Sequence, residues 1–483
     1  MSKNINQILQ EKYLHLEISV LKLSEVQKDN ESFRIDSEPF KKSNSHINTN
    51  FLYEKLSNIA FINPSKTEIN NYSKNTFITF LSMQNLGSGF IHHREQGRIA
   101  EFENGYTYFA ENDILIAKIT PCMEHGKCAI ATDLYNGIGF GSTEFNVFRI
   151  RDSRFLTEFV FCYLNRDSIR KIATDNMVGT SGRQRVPTAF YEKLLIPIFP
   201  MEFQLEIQNL VKDSHKALEE SKELYKKAEE TLYLELGLDP KNPLQSLLNS
   251  KTNNSTNSPN ISIRTLKESF LKTGRLDSEY YQEKYETNEK IIMNKNYTIL
   301  DSLVNITKSI EPGSNLYKNK GVSFIRVANL TQYGLSEPDV FLDEKDFFPQ
   351  YLQTLYPKKD TILFSKDGSV GIAYCVEEDK EIVTSGAILH LNIKDKENIL
   401  PEYLTLFLNS IFVKLQAQRD CGGSIISHWR IEDIKEVLVV ILDIKIQEKI
   451  AKYIQESFNL RKKSKQLLDN AKIKVEEQIQ GKV

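Results

Sequence analysis

Short apolar runs bounded by Gly, Asn and Asp fill much of this chain, and they come in two sets. The run 77–81, followed by Asn85 and Leu86, returns as 321–325 followed by Asn329 and Leu330; 114–118 returns as 362–366, and 142–150 as 385–393. Alternating or continuous apolar runs of this length predict short β-strands. An upstream stretch obeys the same rule, since Phe33-Arg34-Ile35-Asp36-Ser37-Glu38 returns as Gly274-Arg275-Leu276-Asp277-Ser278-Glu279. The spacing holds across most of both halves, so the chain reads as one module written twice.

The pattern then changes in each half. From Pro200 to about Leu236, and from Asp443 to about Ile479, the sequence is rich in Glu, Lys, Gln and Leu without interior Pro or Gly, which predicts two long helices. In the first, Val211, Leu218, Tyr225 and Leu232 recur every seventh residue, with Leu210, Ala217 and Leu224 beside them. In the second, Tyr453 and Ile454, Leu460, Leu467 and Leu468, then Val475 keep the same register. A seven-residue apolar repeat asks for a helical partner, and the chain supplies two such helices of similar length. Between the halves lies a polar, low-complexity stretch containing Lys-Thr-Asn-Asn-Ser-Thr-Asn, which reads as a linker.

The expected architecture is therefore α+β: two similar mixed α/β, largely β, domains separated by two long helices that pair as an antiparallel coiled coil. The boundaries fall at 1–200 for the first domain with its N-terminal extension, 201–238 for the first helix, 239–260 for the linker, 261–442 for the second domain and 443–483 for the second helix. A helix of about 34 residues is roughly 50 Å long, comparable with about 15 base pairs of duplex. Two similar domains at opposite ends of such a pair suit a divided target on an elongated ligand.

Composition changes this picture little. A chain of 483 residues with 40% hydrophobic content can bury more than one core. Its formal charge of -2 carries no overall basic signal, so nucleic-acid contact would have to come from local patches. No run of about 18 apolar residues occurs, so no membrane span is expected. Five scattered cysteines fit a reducing, cytoplasmic setting better than a disulfide framework.

The chain lacks the motifs of common enzymes. It has no Gly-x-x-x-x-Gly-Lys-Ser/Thr phosphate loop, no His-Glu-x-x-His and no Gly-x-Ser-x-Gly elbow. An adenine methyltransferase would need Asn/Asp-Pro-Pro-aromatic, and the dipeptides at Pro64, Pro240 and Pro243 lack the rest of it. Cys122, His125 and Cys128 have zinc-like spacing and could borrow His92 or His93, but the corresponding place in the second half, 366–371, has neither Cys nor His. No metal is expected there, and Lys127 is the more interesting residue. The glycines of 137–142 lead into a strand, not the helix that a dinucleotide fingerprint needs.

One loop does carry recognition chemistry. In 178–187, Gly and Ser leave backbone N–H groups open, while Arg183 and Arg185 offer planar forks for phosphate or a guanine edge and Gln184 offers a donor–acceptor pair suited to adenine.

With these residues in view, the chain resembles the specificity subunit of a Type I restriction-modification system. The resemblance is carried by Asp113-Ile114-Leu115-Ile116-Ala117-Lys118-Ile119-Thr120-Pro121-Cys122 with Gly126-Lys127, by Gly141-Ser142-Thr143-Glu144-Phe145, by Gly179-Thr180-Ser181-Gly182-Arg183-Gln184-Arg185-Val186-Pro187, and by Ile196-Pro197 leading through Pro200, Glu202 and Gln204 into the helix. It implies two target recognition domains, each reading one part of a split, asymmetric sequence on double-stranded DNA, with the paired helices as spacer. It further implies docking to two methyltransferase subunits and to restriction subunits. S-adenosylmethionine would then belong to the methyltransferase partners and ATP to the restriction partner, with Mg²⁺ also implied for the partner subunits and no cofactor and no catalytic residue in this chain. A stand-alone nuclease or methyltransferase with an unrecognised site, or a coiled-coil scaffold, are the competing readings.

The candidate DNA contacts are Ser181, Arg183, Gln184 and Arg185, flanked by Lys118 and Lys127, with Lys366, Ser424, His428 and Arg430 in the second half. The second loop keeps Gly and Ser but has Ile426 where the first has Arg183. Val211, Leu218, Tyr225, Leu232, Ile454, Leu467, Leu468 and Val475 are the expected coiled-coil and subunit-docking positions.

Overall fold

The computed structural model describes residues 9, 12–13, 20–27, 50–180, 182–249, 263–421 and 427–481. The repeat copy at 33–38, linker residues 250–260, Ser181, Ser424 and Ile426 lie outside them. The chain divides into two compact units, Met1–Leu218 with Lys462–Val483, and Glu219–Arg461.

The first unit contains β1 (Tyr53–Lys55), β2 (Ala60–Ile62), β3 (Phe77–Leu81), β4 (Glu95–Arg98), β5 (Thr107–Ala110), β6 (Ile114–Ala117), β7 (Cys128–Ile130), β8 (Ile138–Gly141), β9 (Phe145–Ile150) and β10 (Leu195–Pro197). One antiparallel sheet has the order β2-β9-β6-β7, and a second has the order β4-β3-β8-β5 with β3 and β8 parallel. All four residues of β6 are buried, which is why a continuous apolar run takes an inner position of its sheet. Three short helices, α1 (Thr157–Leu164), α2 (Asp167–Asp175) and α3 (Thr188–Lys193), cover it before the long α4 (Met201–Glu235) begins. Phe148 of β9 meets Tyr191 of α3 with ring centroids 4.9 Å apart, and Phe159 and Tyr163 of α1 are buried in the same core.

The second unit repeats this plan. Its strands are β11 (Tyr297–Ile299), β12 (Val304–Lys308), β13 (Val322–Ile325), β14 (Leu330–Thr331), β15 (Gly334–Leu335), β16 (Phe341–Leu342), β17 (Ile362–Ser365), β18 (Ala373–Cys375), β19 (Ile382–Thr384), β20 (Ile388–Ile393) and β21 (Leu438–Val440). The sheet order β12-β20-β17-β18 matches β2-β9-β6-β7, β13 and β19 are parallel like β3 and β8, and β11 pairs with β21 as β1 does with β10. The helices here include α5 (Glu283–Met293), α6 (Pro401–Leu408), α7 (Ile411–Asp420), α8 (Ile431–Lys435) and the long α9 (Ile444–Gln480), and a short helix, Pro243–Asn249, lies within the stretch expected to be linker. Strand order is not a local property, so its recurrence establishes the duplication independently of sequence likeness.

The copies differ in how they satisfy equivalent buried positions. In the first, Asp113 is fully buried and accepts two hydrogen bonds from Arg149, at 2.7 and 2.8 Å, while Arg149 also donates to Glu68 at 2.7 and 2.8 Å. In the second, the matching residues are Thr361 and Asn392, joined by one neutral hydrogen bond of 2.9 Å. A second contrast lies two residues along the strand, where buried Val147 of β9 is matched by His390 of β20.

His390 is buried and hydrogen-bonded to Thr384 at 2.8 Å, and loss of hydration lowers its pKa to about 4. The folded chain thus favours the neutral imidazole, whereas the unfolded chain takes up a proton below pH 6.5. Stability from this site is complete above pH 6.5 and falls by up to about 1.4 kcal/mol per pH unit down to pH 4. His390→Val should flatten the pH dependence of the second unit's denaturation midpoint across that window. An unchanged slope would show that His390 does not contribute.

The helices join each unit through a buried amide clasp. Gln204 accepts a hydrogen bond from Leu156 N at 2.9 Å and donates to the carbonyls of Arg154 and Phe199, each at 2.9 Å. Gln447 makes the same three contacts, with Leu400 N at 3.0 Å, Asn398 O at 3.1 Å and Leu442 O at 2.9 Å. Leu156 and Leu400 are the N-caps of α1 and α6, so each amide fixes where a packed helix starts relative to a long one.

Pairing of the long helices departs from the purely apolar seam expected. Val211, Tyr225, Leu232, Ile454, Leu468 and Val475 are buried, whereas Leu218 and Leu467 are half-buried. Leu210 and Leu224 are half-buried as well; the second row of α4 is Ile207, Ser214, Ser221 and Ala228, and that of α9 is Ile450, Ser457, Ser464 and Ala471. Ser214 donates to Ser464 O at 2.7 Å in the first unit, and Ser457 donates to Ser221 O at 2.8 Å in the second. In the first unit, Glu206 also pairs with Lys474 at 2.6 Å, so moving back along α4 moves forward along α9: the pairing is antiparallel. Small side chains let the backbones approach, and each hydroxyl finds a carbonyl where it would otherwise be buried unpaired. The buried apolar positions are used inside the chain, so a partner subunit would have to dock on other residues of these helices.

Candidate nucleic-acid interface

The loop after α2 is a pinned hairpin. Val178 and Arg185 exchange two backbone hydrogen bonds of 2.9 Å, and Arg183 N donates to Thr180 O at 3.0 Å. Gly179 sits at φ 122°, where a Cβ would lie 3.0 Å from the Arg183 carbonyl, so glycine is required there. The hairpin then docks on the end of β6: Val186 N donates to Lys118 O at 2.9 Å, Thr120 N to Gln184 O at 3.1 Å, and Val186 is buried.

This arrangement gives the candidate side chains unequal roles. Arg185 donates from Nε and Nη2 to both oxygens of Glu144, at 2.8 and 2.7 Å, and from Nη1 to the Arg183 carbonyl at 3.1 Å. Those hydrogen bonds, with the nearby charge of Lys118, hold the Glu144 carboxyl below its usual range. Arg183 is exposed, and its guanidinium makes no hydrogen bond or ion pair with the described residues. Gln184 is half-buried, as is Lys118. Lys127 turns inward, its ammonium donating to Met83 O at 3.0 Å, which ties the loop after β6 to the second sheet. Cys128 lies in the core, where burial pushes its thiol up, and among the described residues no group of three or more His, Cys, Asp or Glu is placed to hold a metal.

The second unit builds the same base from other residues. Trp429 N donates to Lys366 O at 2.8 Å, Gly368 N to Ser427 O at 2.9 Å, and Lys366 N to Ala387 O at 2.9 Å, as Lys118 N does to Glu144 O at 2.9 Å. Trp429 is buried in the place of Val186, and His428 takes the place of Arg185, with Asp367 accepting at 2.8 Å from its Nδ1 side. Lys366 is paired with Asp367. Arg430 forms a bidentate pair with Asp433, both bonds 2.8 Å, at the start of α8. The structure thus groups Lys118, Gln184 and Arg185 at one loop base with Arg183 projecting, and Lys366, His428 and Arg430 at the other. Ser181 and Ser424 fall outside the described residues.

Sequence reasoning missed Glu144 and Asp367 as members of these sites. Glu144 belonged to a motif already noted, but its partner lies 41 residues away, beyond any local spacing signal. No helix among the described residues is long and apolar enough to cross a membrane.

Residues 296–470 match the family described as the Type I restriction modification DNA specificity domain. Two Escherichia coli proteins, the EcoEI and EcoAI Type I restriction enzyme specificity subunits, are 35% and 36% identical over 154 residues, 32% of this chain. Those matches span 25% and 26% of the relatives' own lengths. Among solved structures, the S subunit of a Type I restriction-modification system from M. genitalium aligns over 89% of this chain and 97% of its own, with 16% identity and a TM-score of 0.40. The HsdS subunit from Thermoanaerobacter tengcongensis aligns over 90% and 97%, with 15% identity and a TM-score of 0.30. Over residues 296–470 the chain is thus similar to the Type I restriction modification DNA specificity domain, and it spans about a quarter of the length of the curated relatives it matches.

Proposed function

We propose that the chain is the DNA-reading subunit of a Type I restriction-modification complex. Each unit reads one part of a bipartite, asymmetric target, and the paired helices set the gap between the parts. Two methyltransferase subunits dock on the chain and bring S-adenosylmethionine; restriction subunits join them with ATP and Mg²⁺. This chain itself turns nothing over. The observation that carries the reading is the duplicated loop base: the same backbone bridge closes a polar loop onto β6 in one unit and onto β17 in the other, while the side chains it presents differ. A constant frame with variable side chains suits two readings of different bases.

The test is binding of the chain, assembled with its methyltransferase partner, to duplexes whose two half-sites are separated by gaps of different length. Lengthening the gap by two base pairs rotates one half-site by about a fifth of a helical turn, and should weaken binding at least tenfold, or by about 1.4 kcal/mol. Affinity that ignores gap length, or methylation or cleavage by this chain alone, would overturn the proposal.

A further inference from the structure

We propose that Glu144 and Asp367 are positioning residues that set the sequence preference of the two loops, the same mechanical task being met from two different places in the fold. The inference rests on the DNA-reading function proposed above. Arg185 and His428 occupy equivalent backbone sites, since each follows the carbonyl that bonds to the loop after the central strand and precedes the buried residue that bonds to Lys118 or Lys366. In the first unit the carboxylate comes from the turn between β8 and β9. In the second, the equivalent of Glu144 is Ala387, and the carboxylate comes instead from the residue after Lys366, where the first unit has Ile119. The loss of an acid at one site and its presence at another, reaching Arg185 in one unit and His428 at the equivalent backbone site in the other, is hard to assign to the shared fold. It points to a requirement of the loop.

Charge supports this. An acid beside a DNA-facing loop opposes phosphate, and a paired acid and base contribute little net attraction. What the pair supplies is direction. Glu144 occupies the Nε and Nη2 edge of Arg185 and leaves Nη1 to hold the Arg183 carbonyl, so the brace reaches the projecting tip. Asp367 takes the Nδ1 side of His428, and that side chain is 64% exposed, so its other ring nitrogen is the one offered outward. Arg185 is then a brace, not a reader, while His428 can do both. A side chain held in one orientation discriminates between base edges because it cannot shift to satisfy the wrong one.

The test uses the full chain assembled with its methyltransferase partner, presented with duplexes that carry two randomised blocks, followed by sequencing of the bound fraction. The unaltered chain should select one preferred sequence in each block. Glu144→Gln should lower selectivity in one block by about tenfold and leave the other unchanged; Asp367→Asn should do the reverse. The salt dependence of binding should stay the same in both, since neither change removes a phosphate contact. Glu144→Asp, which keeps the charge, should recover part of the loss. Unchanged selectivity in both blocks, or equal loss in both from one substitution, would overturn the positioning role and leave the DNA-reading function standing. A complex that selects no sequence in either block would overturn the function itself, and this inference with it.

Discussion

Replacing Arg149 by methionine is expected to destabilise the first unit by roughly 3 to 5 kcal/mol. The substitution keeps most of the side-chain volume but leaves the fully buried Asp113 without the two hydrogen bonds and the charge that offset its burial. Burial already pushes the Asp113 carboxyl up with Arg149 present, and loss of the guanidinium should push it further up. The sign follows: the unfolded chain prefers the ionised acid, so the variant's deficit should grow as pH rises and shrink towards pH 4. Urea unfolding of wild type and variant at pH 5 and pH 8 checks this. The second unit indicates the repair, because there the equivalent pair is Thr361 and Asn392. Asp113→Thr combined with Arg149→Asn should recover most of the stability lost by Arg149→Met alone. A single variant that unfolds like wild type would show that the ion pair contributes nothing net.

Arg183→Ala carries the largest expected effect on recognition. Its side chain is exposed and touches no described residue through a hydrogen bond or ion pair, so its removal should leave stability within about 0.5 kcal/mol. Binding to the cognate duplex should weaken by about 1 to 3 kcal/mol. Two signatures separate the ways this can happen. A phosphate contact lowers affinity for all sequences and reduces the salt slope by about one, whereas a base contact relaxes preference at one position and leaves the slope nearly intact. Lys127→Ala should do neither, since its ammonium is spent on Met83 O. Equal affinity of Arg183→Ala and wild type would remove the loop tip from the interface.

Much of the fold was legible in the chain because the strands carry their burial in their composition. The run over β6 is apolar at every position and lies inside its sheet; the heptads of Val211, Tyr225 and Leu232 mark a buried face of α4. The duplication came from matching those runs, and the sheet orders agree with it. What stayed hidden was polar and non-local. The seam rows built on Ser214, Ser221, Ser457 and Ser464 do not register on a hydrophobic pattern, although the repeat itself held the clue: Gln204, Ile207, Ser214, Ser221 and Ala228 recur unchanged as Gln447, Ile450, Ser457, Ser464 and Ala471. At the loop, the sequence offered Arg183 and Arg185 as equals. Only the fold, by bringing Glu144 to Arg185, separates a brace from a projecting side chain.

The base of the second loop has a practical consequence. Trp429 is the chain's only tryptophan, and its indole is buried where that loop closes onto the end of β17, with Phe364 5.8 Å away. Light absorbed and emitted near the red edge of the protein's ultraviolet spectrum therefore comes from one ring at one loop, with no dye attached. A spectrofluorometer can follow what happens at the second loop while the first stays dark.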